Sequence, residues 1–215
     1  MDIQILNASV VILAERHNPT LLHPAFLKGE DIVEAEWTPE ERGILCTPAF
    51  ATVKFTNNIS FTKEAQKLQV VEGLSSGNIE DSIVPDLAKR YIRKLPFVNY
   101  TAVGVNFLSV IPLEKADDLI IGRFLKDGAW SEIDSGLAAV GLRLVYKFDD
   151  TQMSLTIDPG EAVAAEDDTR HSGILLKANF NKVVDGIDEA VTAISMYSEW
   201  CQKFRDAVSM VLEGE

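Results

Sequence analysis

Cysteine is nearly absent from this chain of 215 residues, which carries only Cys46 and Cys201, far apart in sequence. With no C-x-x-C pair, neither a structural zinc site nor a disulfide framework is signalled, and a reducing cytoplasmic setting is the expectation. Histidine is as scarce. His17 and His23 flank a turn without the i, i+4 helical spacing of a zinc-binding pair, so they read as turn-lining surface side chains, and His171 is the third. No apolar run approaches the roughly 20 residues of a membrane-spanning helix. The opening MDIQILNASVV has an acidic residue where a secretory leader needs basic ones. Basic excess is missing too: 20 Lys and Arg stand against 33 Asp and Glu, a net charge of −13, which opposes attraction to nucleic acid phosphates and anionic lipid. Neither G-x-x-x-x-G-K-[ST] nor G-x-G-x-x-G occurs, so no nucleotide cofactor is implied. Glu161, Glu166, Asp167 and Asp168 lack the D-x-D-x-D-G spacing that wraps carboxylates around calcium and read as a solvated acidic loop. No cofactor or metal is expected.

What the chain does contain is an apparent echo of itself. NASVVILAE, residues 7–15, recurs as NFLSVIPLE, residues 106–114, and LLHPAFLKG, residues 21–29, aligns with LIIGRFLKD, residues 119–127, once one residue is dropped between the blocks. Self-similarity of this kind points to a tandem duplication, with a first repeat over 1–97 and a second over 98–215 fused into one domain. Hydrophobic residues make up 47% and charged residues 25%, ample for a shared core and far from a disordered composition.

Residues 3–14 are rich in Ile, Val and Leu without helical spacing and predict a strand, ended by turn chemistry at His17-Asn18-Pro19. A short helix follows, with Leu21, Leu22, Ala25 and Phe26 as its apolar stripe and Gly29 at its end. Residues 30–42 read as a polar connector anchored by Trp37. The period then changes to two: Ala51, Val53 and Phe55 alternate with polar residues, Asn57-Asn58 makes a hairpin, Ile59 and Phe61 resume, and Leu68 and Val70 begin a third strand. Pro85 opens a helix that ends before Pro96.

The second half repeats the order: a strand at 98–112, a helix at 115–126, strands near 137–148, 151–158 and 172–181, and one long helix from about 187 to 212. Asp149-Asp150 is the expected hairpin, and residues 159–169 the one long loop. Leu142, Leu144, Tyr146 and Phe148 alternate with Arg143, Val145 and Lys147, and Val191, Ile194, Tyr197, Cys201, Phe204, Val208 and Val211 form the stripe of the last helix. The expected class is α+β: a strand-helix-three strands-helix unit twice over, an antiparallel sheet with helices on one face.

That doubled order of elements resembles the TATA-binding-protein-like fold, as topology over most of the chain and without a family motif. In that family a curved sheet grips DNA with basic residues and wedging phenylalanines. The net charge of −13 speaks against that partner here. A helix-grip fold, with a long C-terminal helix closing an apolar cavity, is the rival arrangement, and it does not predict the repeat.

Three functional readings follow. If the apolar strand sides face the helices, Lys54, Lys67, Arg143, Lys147 and Lys177 fall on the opposite sheet face, among Thr52, Thr56, Ser154, Thr156 and Asn179, with Asp158 as the main acid. Lys54, Arg143, Lys147 and Lys177 are then the candidate contacts of a non-enzymatic module docking an acidic protein segment or a second copy of itself, as a homodimer. The second reading is a serine hydrolase. Gly73-Leu74-Ser75-Ser76-Gly77 is a G-x-S-x-G string between a strand and a helix, and Ser75, Asp150 or Asp158, and His171 follow in triad order. Against it, the strands before Ser75 read as antiparallel, and no oxyanion segment precedes them. The third is a small apolar ligand held between the sheet and the last helix.

Overall fold

Alternation with a period of two puts every second side chain of a strand on the same sheet face, and the computed structural model of the chain carries this rule across one large sheet. The structure describes residues 3–74, 78–126, 128–129, 137–163 and 170–213. The strands are β1 (Gln4–Ala14), β2 (Pro39–Cys46), β3 (Phe50–Phe55), β4 (Ile59–Glu64), β5 (Lys67–Gly73), β6 (Tyr100–Pro112), β7 (Leu142–Phe148), β8 (Thr151–Val163) and β9 (Arg170–Val183). They form a nine-stranded sheet in the order β2-β3-β4-β5-β1-β6-β9-β8-β7, antiparallel at every pairing. The helices are α1 (Pro24–Gly29), α2 (Val84–Arg93), α3 (Ala116–Phe124), α4 (Gly186–Ser195) and α5 (Tyr197–Leu212). The class is thus α+β, as the alternation and stripes predict. Among the described residues no helix is long and apolar enough to cross a membrane.

β1 and β6 lie at the centre. Outward from them the order is β5, β4, β3, β2 on one side and β9, β8, β7 on the other. Ala8 and Phe107, equivalent positions in the repeat alignment, are cross-strand partners. β2 has no counterpart on the second side among the described residues.

The core lies on one face of this sheet. Val10 and Ile12 of β1, Val53 and Phe55 of β3, Phe61 of β4, Val70 of β5, Val105 and Phe107 of β6, Leu155 of β8 and Leu176 and Phe180 of β9 are all buried. Over the first half α2 brings Leu87, Ala88, Tyr91 and Ile92, and Tyr91 sits against Phe61 and Phe26. Over the second half α5 brings Tyr197, Trp200, Cys201, Phe204 and Val208. Phe107 meets Phe204 at 5.5 Å, and Phe180 stacks on Trp200 at 5.5 Å. Such ring pairs add about 1 kcal/mol each beyond the area they bury. Trp37 anchors its segment as expected, with its ring edge-on to Phe55 at 5.4 Å.

Several expectations are corrected. The connector at 30–42 gives way to β2 from Pro39. Among the described residues this edge strand pairs only with β3, and its register shifts between Pro39 and Ile44, so no clean alternation marks it in sequence. Gly43 sits in that irregular stretch because a Cβ there would lie 2.8 Å from the Lys54 carbonyl oxygen. The loop expected at 159–169 is partly strand, since β8 and β9 stay paired out to Val163 and Arg170. Pro159 is tolerated because β7 pairs with β8 no further than Ile157, leaving no ladder bond on that side for the missing N–H to make. The single helix from 187 to 212 is broken at Met196, whose backbone (φ −77, ψ 3) leaves the helical region. Thr192 and Ser195 there donate to the carbonyls of Asp188 and Val191, back-bonding that bends helices. The hairpin turns fall as read, with Asn58 and Asp149 at positive φ (63 and 34).

Candidate functional site

The face opposite the core carries the other half of each alternation. Lys54 lies between buried Val53 and Phe55, Lys177 between buried Leu176 and Ala178, and Arg143 and Lys147 are the exposed alternates of β7. One row runs straight across eight strands in register: Lys54, Ser60, Val71, Ser9, Asn106, Asn179, Ser154 and Val145. Its centre is a hydrogen-bonded ladder. Gln69 Nε2 donates to Ser9 Oγ at 3.4 Å, Asn106 Nδ2 donates to the same hydroxyl at 3.1 Å, and Asn179 Nδ2 donates to Asn106 Oδ1. These neighbours shield Ser9 down to 2% exposure although it lies on the face away from the core. A shallow recess of about 340 Å³ opens over Asn106, Thr156, Lys177 and Asn179.

Arg143 and Lys177 both pair with Thr156, from β7 and β9 on either side of β8, which sets them about 10 Å apart at strand spacings near 4.8 Å. Lys147 lies about 13 Å further along β7. Arg143 Nε donates to Ser154 Oγ at 2.9 Å, which holds the guanidinium over the sheet. Lys177 has a loose ion pair with Asp158, 4.0 Å away, and Lys67 is paired with Glu64 at 2.9 Å. Arg143, Lys147 and Lys54 have no carboxylate within ion-pair distance among the described residues. Lys54 stands apart. β4, β5, β1 and β6 separate β3 from β9, so about 24 Å divides it from Lys177. The structure thus puts all four candidates on one face, but gathers only Arg143, Lys147 and Lys177.

Ser75 lies outside the described residues, as do Glu166, Asp167 and Asp168. His171 is placed by its backbone alone, in β9 opposite Ala162. The strand that precedes Ser75, β5, is antiparallel to both β1 and β4, unlike the parallel scaffold that lifts a nucleophile elbow. Beneath the last turns of α5 a cleft of about 400 Å³ is lined by Ile3, Ile5, Ile111, Val208 and Leu212, with Arg205 and Glu213 at its polar side. No cluster of His, Cys, Asp and Glu suited to a metal occurs among the described residues.

The histidine reading is corrected in part. His23 is exposed, and its Nδ1 accepts the Ala25 N–H to cap α1. His17 is buried at 3% exposure, because its ring packs toward Tyr100 and its Nε2 donates to the Ile12 carbonyl at 3.3 Å. Desolvation, helped by the nearby Lys63 charge, pushes its pKa down from 6.5 to about 4. Lys63 itself was missed. It is fully buried, donates to Tyr91 Oη at 2.6 Å and lies 5.1 Å from that ring's centroid. Burial lowers its pKa from 10.5 to about 8. The signal was parity: Lys63 continues the series Ile59, Phe61 on the core face.

No family model, no curated protein and no solved structure matches the chain.

Proposed function

We propose that the chain is a non-enzymatic docking module whose open sheet face takes an acidic segment of a partner protein. The supporting observation is the patch of Arg143, Lys147 and Lys177 on a face that no helix covers among the described residues, in a chain with net charge −13. Among the described residues two of these cations have no acid of their own, and the third has only a loose one. An extended segment rises about 3.3 Å per residue, so a run of about four or five residues spans the patch and brings carboxylates to each corner. Asn179, Thr156 and Ser154 between the cations offer neutral hydrogen bonds to the backbone of such a segment. The net effect is steering: exposed cations raise the association rate and set partner choice more than they raise affinity.

A second copy of the chain fits the same face less well. Two such faces meeting about a twofold axis would oppose cation to cation. The reading also takes the halves as descendants of a duplicated unit arranged as in TATA-binding-protein-like folds, with the pairing of Ala8 and Phe107 and the outward strand order in its support.

The test is fluorescence anisotropy of a labelled Asp/Glu-rich peptide. Binding that weakens steeply with salt and is lost on joint Arg143→Glu and Lys147→Glu substitution is the expected result. Equal binding of an uncharged peptide of the same length, or no change on charge reversal, refutes it.

A further inference from the structure

A second cationic place lies inside the first half, away from the open face. The turn after β1 and the end of β4 enclose a cleft of about 540 Å³, with Lys63 and His17 in its wall, Arg16 on its exposed side, and Pro19, Leu21, Leu95 and Val98 among its apolar lining. That volume is in the range of small-molecule sites. The chain holds 33 acidic residues, yet among the described residues no Asp or Glu lines this cleft.

The valences of the two buried side chains are unfilled. An ammonium has three donors. Lys63 uses one on Tyr91 Oη, and among the described residues no carboxylate pairs with it. His17 donates through Nε2 to the Ile12 carbonyl, which fixes the proton on Nε2 and leaves Nδ1 as a bare acceptor. That Nδ1 is buried and has no hydrogen-bond partner among the described residues. A buried polar group without a partner costs about 1–3 kcal/mol, and more when charged, so such groups in a cavity wall mark the chemistry of what fills it. Behind the cleft's apolar surface thus lie positive donors and one neutral acceptor, enclosed at 0% exposure for Lys63 and 3% for His17, so a ligand meets them only as the side chains of the wall part. The complement is a negative oxygen for the donors, an O–H for the acceptor, and a hydrocarbon chain for the walls.

We infer that this cleft binds a small hydroxycarboxylate, its carboxylate on Lys63 Nζ, its hydroxyl donating to His17 Nδ1, and its hydrocarbon chain against Pro19, Leu21 and Val98. Arg16 adds long-range attraction for the anion. Ligand charge next to Lys63 supplies the counterion that the fold omits, so binding and protonation of Lys63 are linked.

The experiment is isothermal titration of the intact chain with 2-hydroxyhexanoate, hexanoate, hexanol and inorganic phosphate, alongside NMR of Cε-labelled lysine in the wild type. The expected result is that 2-hydroxyhexanoate binds most tightly and hexanoate about tenfold less. Hexanol and phosphate, each lacking one half of the recognised chemistry, bind weakly or not at all. Lys63→Met loses about tenfold to a hundredfold in affinity for both acids, as expected for a charged hydrogen bond, and His17→Phe makes the two acids bind alike. In case a variant fails to fold, the wild-type Lys63 resonance serves alone: its titration midpoint rises on adding 2-hydroxyhexanoate and stays put with hexanol. The inference is overturned if no acid binds, if Lys63→Met binds them unchanged, if the Lys63 midpoint does not move, or if phosphate or hexanol binds as tightly as the hydroxyacid.

Discussion

Two places in this molecule hold positive charge with little or no acid to answer it, and they differ in one variable, water. On the open sheet face Arg143 and Lys147 stand exposed, and in water two unit charges 4 Å apart interact by only about 1 kcal/mol, screened further by salt. At the cleft Lys63 is fully enclosed, with Tyr91 as its one hydrogen-bond partner among the described residues. On the proposed docking reading the same chemical group is a mild steering device in the first place, and in the second it is a source of several-fold larger pH-linked energies. If the docking proposal holds, the open face shapes association and leaves stability alone. The cleft is legible in stability even with nothing bound.

The largest effect expected is in acid. His17 is held near pKa 4 in the fold against 6.5 when unfolded, so between those values the unfolded chain binds more protons, and stability falls as pH drops from 6.5 toward 4. This contribution amounts to about 3 kcal/mol and is absent from His17→Phe. Urea unfolding of both proteins across this range should show the gap closing in the variant's favour as acid is added, and a constant gap would show that His17 charges freely in the fold.

Next comes Lys63. Its pKa of about 8 lies below the 10.5 of the unfolded chain, so the unfolded chain again binds more protons in between, and stability rises as pH increases from 8 toward 10. The wild type should gain about 2 kcal/mol relative to Lys63→Met over that interval. Parallel pH profiles would remove the contrast between the two places.

Arg143→Glu with Lys147→Glu is the matching experiment on the open face. Thermal unfolding should stay within about 0.5 kcal/mol of wild type, while affinity for the acidic peptide drops about tenfold or more at low salt. A large loss of stability would mean that these side chains hold the fold together. The smallest effect is a labelling difference. Exposed Cys46 should be alkylated in the native chain, whereas Cys201, buried and with its thiol pushed up to about 12, should react only after unfolding, as mass spectrometry of the labelled peptides would show.

Strand identity was legible wherever one face is buried and the other wet. Val53 and Phe55 around Lys54, and Leu142 and Leu144 around Arg143, declare both strand and face. β2 was hidden because an edge strand with a register shift need not alternate. The break at Met196 was hidden because the apolar stripe runs through it, and only the hydroxyls of Thr192 and Ser195 hint at a bend. On the functional side, the shared face of Lys54, Arg143, Lys147 and Lys177 followed from parity. The distance of Lys54 from the others did not, because the sheet order that separates β3 from β9 is a tertiary property. Burial of His17 depends on Tyr100 and the Ile12 carbonyl, contacts that no local pattern announces. Lys63 was the readable residue passed over, since its parity with Phe61 was plain and only its charge argued for the wet face.

The claim that burial alone separates the two cationic places is tested most directly by following the Cε–Hε resonance of Lys63 through a pH titration of the ligand-free chain. A midpoint near pH 8 is the predicted result. A midpoint at the ordinary lysine value of 10.5 would contradict it, because Lys63 would then be as well solvated as a lysine on the open face.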